Sequence, residues 1–133
     1  MSSKITENLK QASDDLLMVS ESDSPFQVFF WSGQGEESLA NQKLLQLTSH
    51  SQDTPIETVD LDYFFRNYAE EKDWHDETQK QNVQKFRSLI QILKDNLIDI
   101  KVYRLGTVSI DVYIVGKTIS GDLAGISTKV VET

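Results

Sequence analysis

Apolar side chains fall on two periods along this chain, and the change from one to the other predicts its layout. Ile5, Leu9, Ala12 and Leu16 recur at steps of four, three and four, which puts them on one face of a helix from about Ser3 to Met18. Ser20 to Pro25 is a run of short polar side chains ending in proline, and it predicts a turn. Phe26 to Trp31 is dense in β-formers and apolar on both faces after Gln27, the pattern of a buried strand. Ser32 to Glu37 reads as a loop, and residues 38–47 as a short, loosely periodic helix carrying Leu39, Leu44, Leu45 and Leu47.

Ser49 to Pro55 reads as polar loop. Thr58 or Asp60 is placed to cap a second short helix bearing Leu61, Phe64, Phe65 and Tyr68. After a polar connection from Glu70 to His75 comes the clearest element, a helix from about Asp76 to Asn96. Its face holds Val83, Phe86, Ile90, Leu93 and Leu97, with Asp76 and Glu77 at its positive end and Lys94 near the other. The period then falls to two. Lys101–Leu105, Val108–Val115 and Leu123–Val131 read as strands, the first pair joined through Gly106 and Thr107 and the second through Gly116 to Asp122. The expected fold is one α/β (α+β) domain over residues 1–133, with a mainly antiparallel four-stranded sheet and helices on its faces.

A chain of 133 residues can bury roughly two-thirds of its unfolded surface. It needs no metal or disulfide staple, and with no cysteine it can form neither a disulfide nor a thiolate site. No apolar leader and no 18-residue apolar run occurs, so the expected location is cytoplasmic and no membrane association is expected. The net charge of −8 disfavours direct nucleic-acid binding and favours a basic protein partner. Solubility alone would also account for it. The acidity is concentrated in Glu57–Glu77, where eight carboxylates face only Arg66 and Lys72. A solvated face is the default for such a stretch, and a docking patch for a basic cleft is the sharper reading.

No enzyme motif is present. Gly33-Gln34-Gly35 is too short for a dinucleotide fingerprint, and neither His50 nor His75 has neighbours in sequence that complete a catalytic triad. Asp73-Trp74-His75-Asp76 contains metal-ligand types but reads better as the approach to a helix. Trp74, flanked by carboxylates, is either a core plug or an interface anchor. Glu21 sits in the turn before the first strand. Thr133 follows directly on the last one, where an ordered strand would hold its hydroxyl and carboxylate in a fixed place.

The chain resembles the nuclease A inhibitor family of cyanobacterial and other bacterial proteins. The resemblance rests on Lys10-Gln11-Ala12-Ser13-Asp14, Val19-Ser20-Glu21-Ser22, Pro25-Phe26 followed by Phe30-Trp31, Gln52-Asp53 with Pro55, and Asp73-Trp74. It is strongest at the end, in Val102-Tyr103-Arg104-Leu105-Gly106, Ile110-Asp111-Val112-Tyr113 and the eleven residues from Leu123 to Thr133. It spans nearly the whole chain in order.

The resemblance implies a three-layer α/β/α sandwich similar to the plant pathogenesis-related (PR-1-like) fold. The implied function is inhibition of a secreted, Mg²⁺-dependent, sequence-nonspecific nuclease in a 1:1 complex. Glu21 would reach the nuclease's active-site region, Thr133 would approach the catalytic Mg²⁺, and Asp73 and Trp74 would contact the enzyme nearby. The chain itself would hold no cofactor and no metal. Two departures stand out: Ser49-His50-Ser51 where the family pattern has Gly-His-Gly, and His75 where it has an aromatic. The region from Gly33 to Leu47 matches poorly. The alternatives are an acidic interaction module whose partner is not a nuclease and, last, an enzyme with an unrecognised site around His50 or His75.

Overall fold

In the computed structural model the described residues are 2–14, 16–19, 23–31, 41–66, 68–70, 72–74 and 76–131. Helix α1 (Ser2–Ser13) is followed by strands β1 (Leu17–Val19), β2 (Asp23–Pro25) and β3 (Gln27–Trp31), then α2 (Asn41–Leu47), β4 (Ile56–Val59) and α3 (Leu61–Phe64). The long helix α4 (Glu77–Asn96) leads into β5 (Ile98–Leu105), β6 (Ser109–Lys117) and β7 (Leu123–Val131). A five-stranded antiparallel sheet of order β3-β7-β6-β5-β4 forms the centre, and β1 and β2 make a separate hairpin.

Three elements differ from the sequence expectation. The first helix stops at Ser13, not Met18: the Ser13 hydroxyl donates to the Leu9 carbonyl at 2.8 Å, a back-bond that weakens helix continuation. Leu17, Met18 and Val19 are three consecutive apolar residues that no single helical face accommodates, and they pair with Asp23–Pro25. Pro25 is tolerated there because the hairpin is all edge and no second ladder needs its missing N–H. The sheet has five strands instead of four. Ile56–Val59 pairs with Val102–Leu105, and it was hidden because Thr58 reads equally well as a helix cap. Asp60 is the actual cap, its carboxylate accepting from the Asp62 N–H. The strand expected from Lys101 starts earlier, at Ile98, and a bulge at Asp99 (φ 52°) interrupts its pairing with β6.

Alternation along the strands sorts the core into two clusters on opposite faces. Val102, Ile110, Val112, Ile114 and Ile126 cluster with Leu9 of α1, Leu61 of α3, Phe65, and Phe86, Leu89 and Leu93 of α4. On the other face Tyr103, Leu105, Val115 and Leu123 cluster with Leu44 and Leu45 of α2. Among the described residues, α1, α3 and α4 pack with the first cluster and α2 with the second.

α2 ends in a loop where Ser49 adopts φ 60°. That left-handed conformation costs an L-residue about 1–2 kcal/mol and favours glycine.

Candidate functional site

Three chain segments run to one end of the sheet. The register defines that end: Ser109 opens β6 opposite Val131, which closes β7, and Leu105 closes β5 opposite Asp111. The β5–β6 turn and the exit of β7 toward Thr133 therefore share this end. The opposite end holds Ile98 beside Lys117 and the β6–β7 turn.

The β1–β2 hairpin reaches the same end. Gln27 pairs with Ser127, so the chain before it runs alongside Thr128 and the residues that follow. The Thr128 hydroxyl accordingly donates to the Pro25 carbonyl at 3.0 Å. Val19 pairs with Asp23 across residues 20–22, and the hairpin is held to the last strand through Thr128 and the Pro25 carbonyl. Glu21 and Thr133 themselves lie outside the described residues; the strands that lead to them lie side by side.

The start of α4 carries the Asp73-Trp74 approach. Its last turn feeds through Leu97 into Ile98 at the opposite end of the sheet. Phe86 meets the Phe26 ring edge-on at 6.4 Å, level with the start of β3. Asp76 lies ten residues before Phe86, about 15 Å along the helix axis and away from the end that holds Ile98. The preceding segment runs antiparallel beside the helix: Lys94 donates to the Asp62 carboxylate at 3.0 Å, and Arg87 Nε donates to the Ala69 carbonyl at 2.7 Å. Asp73 and Trp74 complete this return path just before the helix begins.

The helix start is tightly specified. The Asp76 carboxylate accepts from the Gln79 N–H at 2.8 Å, and the Gln79 side-chain carbonyl accepts from the Asp76 N–H at 2.9 Å. This reciprocal box satisfies otherwise unpaired helix-end donors and fixes the chain's entry angle. Of the two sequence readings of Trp74, a core plug is ruled out: the residue is 72% exposed, and Asp73 beside it is exposed as well. The helix approach preferred for Asp73 to Asp76 over a metal site is what the cap at Asp76 shows. Among the described residues no group of three or more His, Asp or Glu side chains is placed to hold a metal ion, and His75 lies outside them.

A constellation that sequence spacing did not reveal lies on the α2 side of the sheet. His50 Nε2 donates to the Asp111 carboxylate at 2.7 Å, and its Nδ1 meets Thr48 Oγ1 at 2.7 Å. Lys129, across the β6–β7 ladder, brings its ammonium to 3.9 Å from the other Asp111 oxygen. The Tyr113 ring stands edge-on to the imidazole at 6.2 Å. Burial, and then the Asp111 charge, hold the Tyr113 phenol above its ordinary value of 10.0. Burial alone does the same for Tyr103.

Hydroxyl, imidazole and carboxylate are thus in line, but the Thr48 hydroxyl is engaged with the Leu44 carbonyl at 2.8 Å as a helix back-bond. What the arrangement does chemically is tie the loop after α2 to the first turn-side residues of β6. His50 and Asp111 are 61 residues apart, a pairing no local motif encodes. The one sequence signal was His50 itself, a half-buried polar residue between two serines.

Among the described residues, no helix is long and apolar enough to cross a membrane. No curated protein matches the chain. The family model described as nuclease A inhibitor-like protein matches residues 3–133, nearly the full length, with the hairpin, the Asp73-Trp74 approach and the terminal strand all inside the match. The chain belongs to the nuclease A inhibitor-like family.

Proposed function

We propose that this protein is a cytoplasmic inhibitor that forms a 1:1 complex with a Mg²⁺-dependent, sequence-nonspecific nuclease and protects the cell that makes it. The observation that carries the reading is the family match over residues 3–133. It is supported by the chain path, since the hairpin that brackets Glu21 and the last strand, which leads toward Thr133, are joined through Pro25 and Thr128, and by the exposure of Asp73 and Trp74.

The chemistry is substrate imitation. A Mg²⁺ site that works on phosphodiesters prefers hard anionic oxygens. The Glu21 carboxylate, and the hydroxyl or carboxylate of Thr133, supply such oxygens without a scissile bond. Guanidinium groups that clamp phosphate accept a carboxylate in the same fork geometry. Trp74 adds apolar area beside this charged centre, and Asp73 adds a polar contact. The net charge of −8 steers the protein toward a basic cleft and away from the nucleic acid itself. No metal or cofactor of its own enters this scheme. It assigns the protein no catalytic step.

Following plasmid degradation by such nucleases with equimolar protein tests the reading. Wild type should protect the plasmid. Glu21→Ala and removal of Thr133 should each weaken inhibition at least about thirtyfold, the loss for truncating one side of a desolvated charged contact. A protein that protects against none of several nucleases of this class is not such an inhibitor. A complex that forms but survives both changes unweakened points instead to an acidic interaction module with another mode of docking.

A further inference from the structure

Val108 was expected to open a strand, yet the ladder begins one residue later, at Ser109. Val108 instead occupies the β5–β6 turn with its side chain in solvent. It is 52% exposed, and Thr107 and Ser109 on either side are exposed too. Turns between strands ordinarily take Gly, Asn, Asp or Ser. A branched aliphatic side chain held in water contributes little to folding.

The turn presents that side chain from a rigid base. Gly106 has φ 114°, and a Cβ there would come within 2.7 Å of the Ser109 carbonyl oxygen, so the position requires glycine. The Gly106 N–H donates to the Pro55 carbonyl at 2.9 Å, pinning the turn to the loop before β4. Leu105 and Ile110 on either side are both buried. Sheet order places the turn next to the exit of β7: β7 lies between β3 and β6, with the hairpin on the β3 side and the Val108 turn on the β6 side.

We propose that Val108 is a further contact for the nuclease, and this rests on the inhibitor reading above. Its side chain fits an apolar surface bordering the anion site, such as an aromatic ring or the aliphatic stem of a phosphate-binding lysine or arginine. Packed against the enzyme, it excludes water from the edge of the anion site and strengthens the interactions made there.

The protein carries its own control. Ile119 is 98% exposed in the β6–β7 turn, at the opposite end of the sheet. Val108→Ser and Ile119→Ser are both neutral exchanges on exposed turns. With a nuclease that wild type inhibits, Val108→Ser should raise the inhibition constant about tenfold, the loss of one buried valine side chain. Ile119→Ser should leave it within about twofold, as for a surface exchange. Amide exchange at Val108 and Ser109 should slow when the nuclease is added to wild type, a measurement that needs no variant to fold. Unchanged inhibition by Val108→Ser with no added protection overturns the contact, even where Glu21→Ala is weakened and the inhibitor reading stands. Failure of wild type to inhibit any such nuclease overturns both.

Discussion

The two faces of the central sheet are built from the same strands but do different work. One is sealed by α1, α3 and α4, and its residues are almost all aliphatic or aromatic, with Leu9, Phe65, Leu89 and Leu93 wholly buried. The other is covered by the seven residues of α2, and it mixes Leu44, Leu45 and Val115 with Tyr103, Tyr113 and the His50–Asp111–Lys129 group. A long amphipathic helix buries enough area to close a face by itself. A short one cannot, so polar side chains supply the remaining connections there. The first face sets stability. The second sets how the loop after α2 is held against the sheet.

Truncation on the sealed face gives the largest expected effect. Leu89→Ala, at a wholly buried position, should cost about 3–4 kcal/mol in urea unfolding, from lost transfer energy and the cavity left behind. A loss below about 1 kcal/mol would mean that this face does not carry the stability assigned to it.

His50→Ala on the other face should cost less, about 1–2 kcal/mol. It removes two hydrogen bonds at 2.7 Å and leaves Asp111 with only the longer Lys129 contact. Asp111 is partly exposed, so water takes up some of the loss. The change should show in amide exchange of residues 48–55 before it shows elsewhere. Uniform loosening of α4 would erase the distinction between the faces.

The smallest effect is a pH dependence confined to the α2 side. Tyr103 and Tyr113 have folded values raised above the ordinary 10.0, so the fold favours their protonated form. Their contribution is fully present below about pH 10 and is lost as pH rises through the folded values. Above about pH 10 wild type should lose urea stability more steeply than a Tyr103→Phe, Tyr113→Phe double variant. Equal slopes would show that the two phenols are not desolvated in solution.

Much of the fold was legible in local pattern. The Asp76–Asn96 helix was readable because burial, capping and dipole charges all favour the same ends, and the structure moves its first residue by only one. The sheet from Leu123 to Val131 was readable because alternation and turn residues agree. β4 was missed because Ile56-Glu57-Thr58-Val59 is short and only half apolar; it is a strand because Val102–Leu105 offers it an edge. The first helix was drawn too long because Leu16 continues the helical period while the chain turns away at Ser13. Of the candidate site, Asp73 and Trp74 were named from sequence, but their exposure was not predictable, since a tryptophan between carboxylates suits a core or a surface equally. The His50–Asp111 bond and the exposure of Val108 were invisible, because each depends on which strands become neighbours.

By itself the sequence determined the helix and strand periods, the −8 charge, the absence of cysteine and the family pattern that ends in Leu123–Thr133. These are properties of single residues and short spacings. Only the tertiary structure decided that the hairpin from residue 17, the turn from residue 106 and the end of β7 at residue 131 share one end of the sheet. That decision belongs to strand order. It follows from burying two apolar faces at once, a condition no local segment can impose.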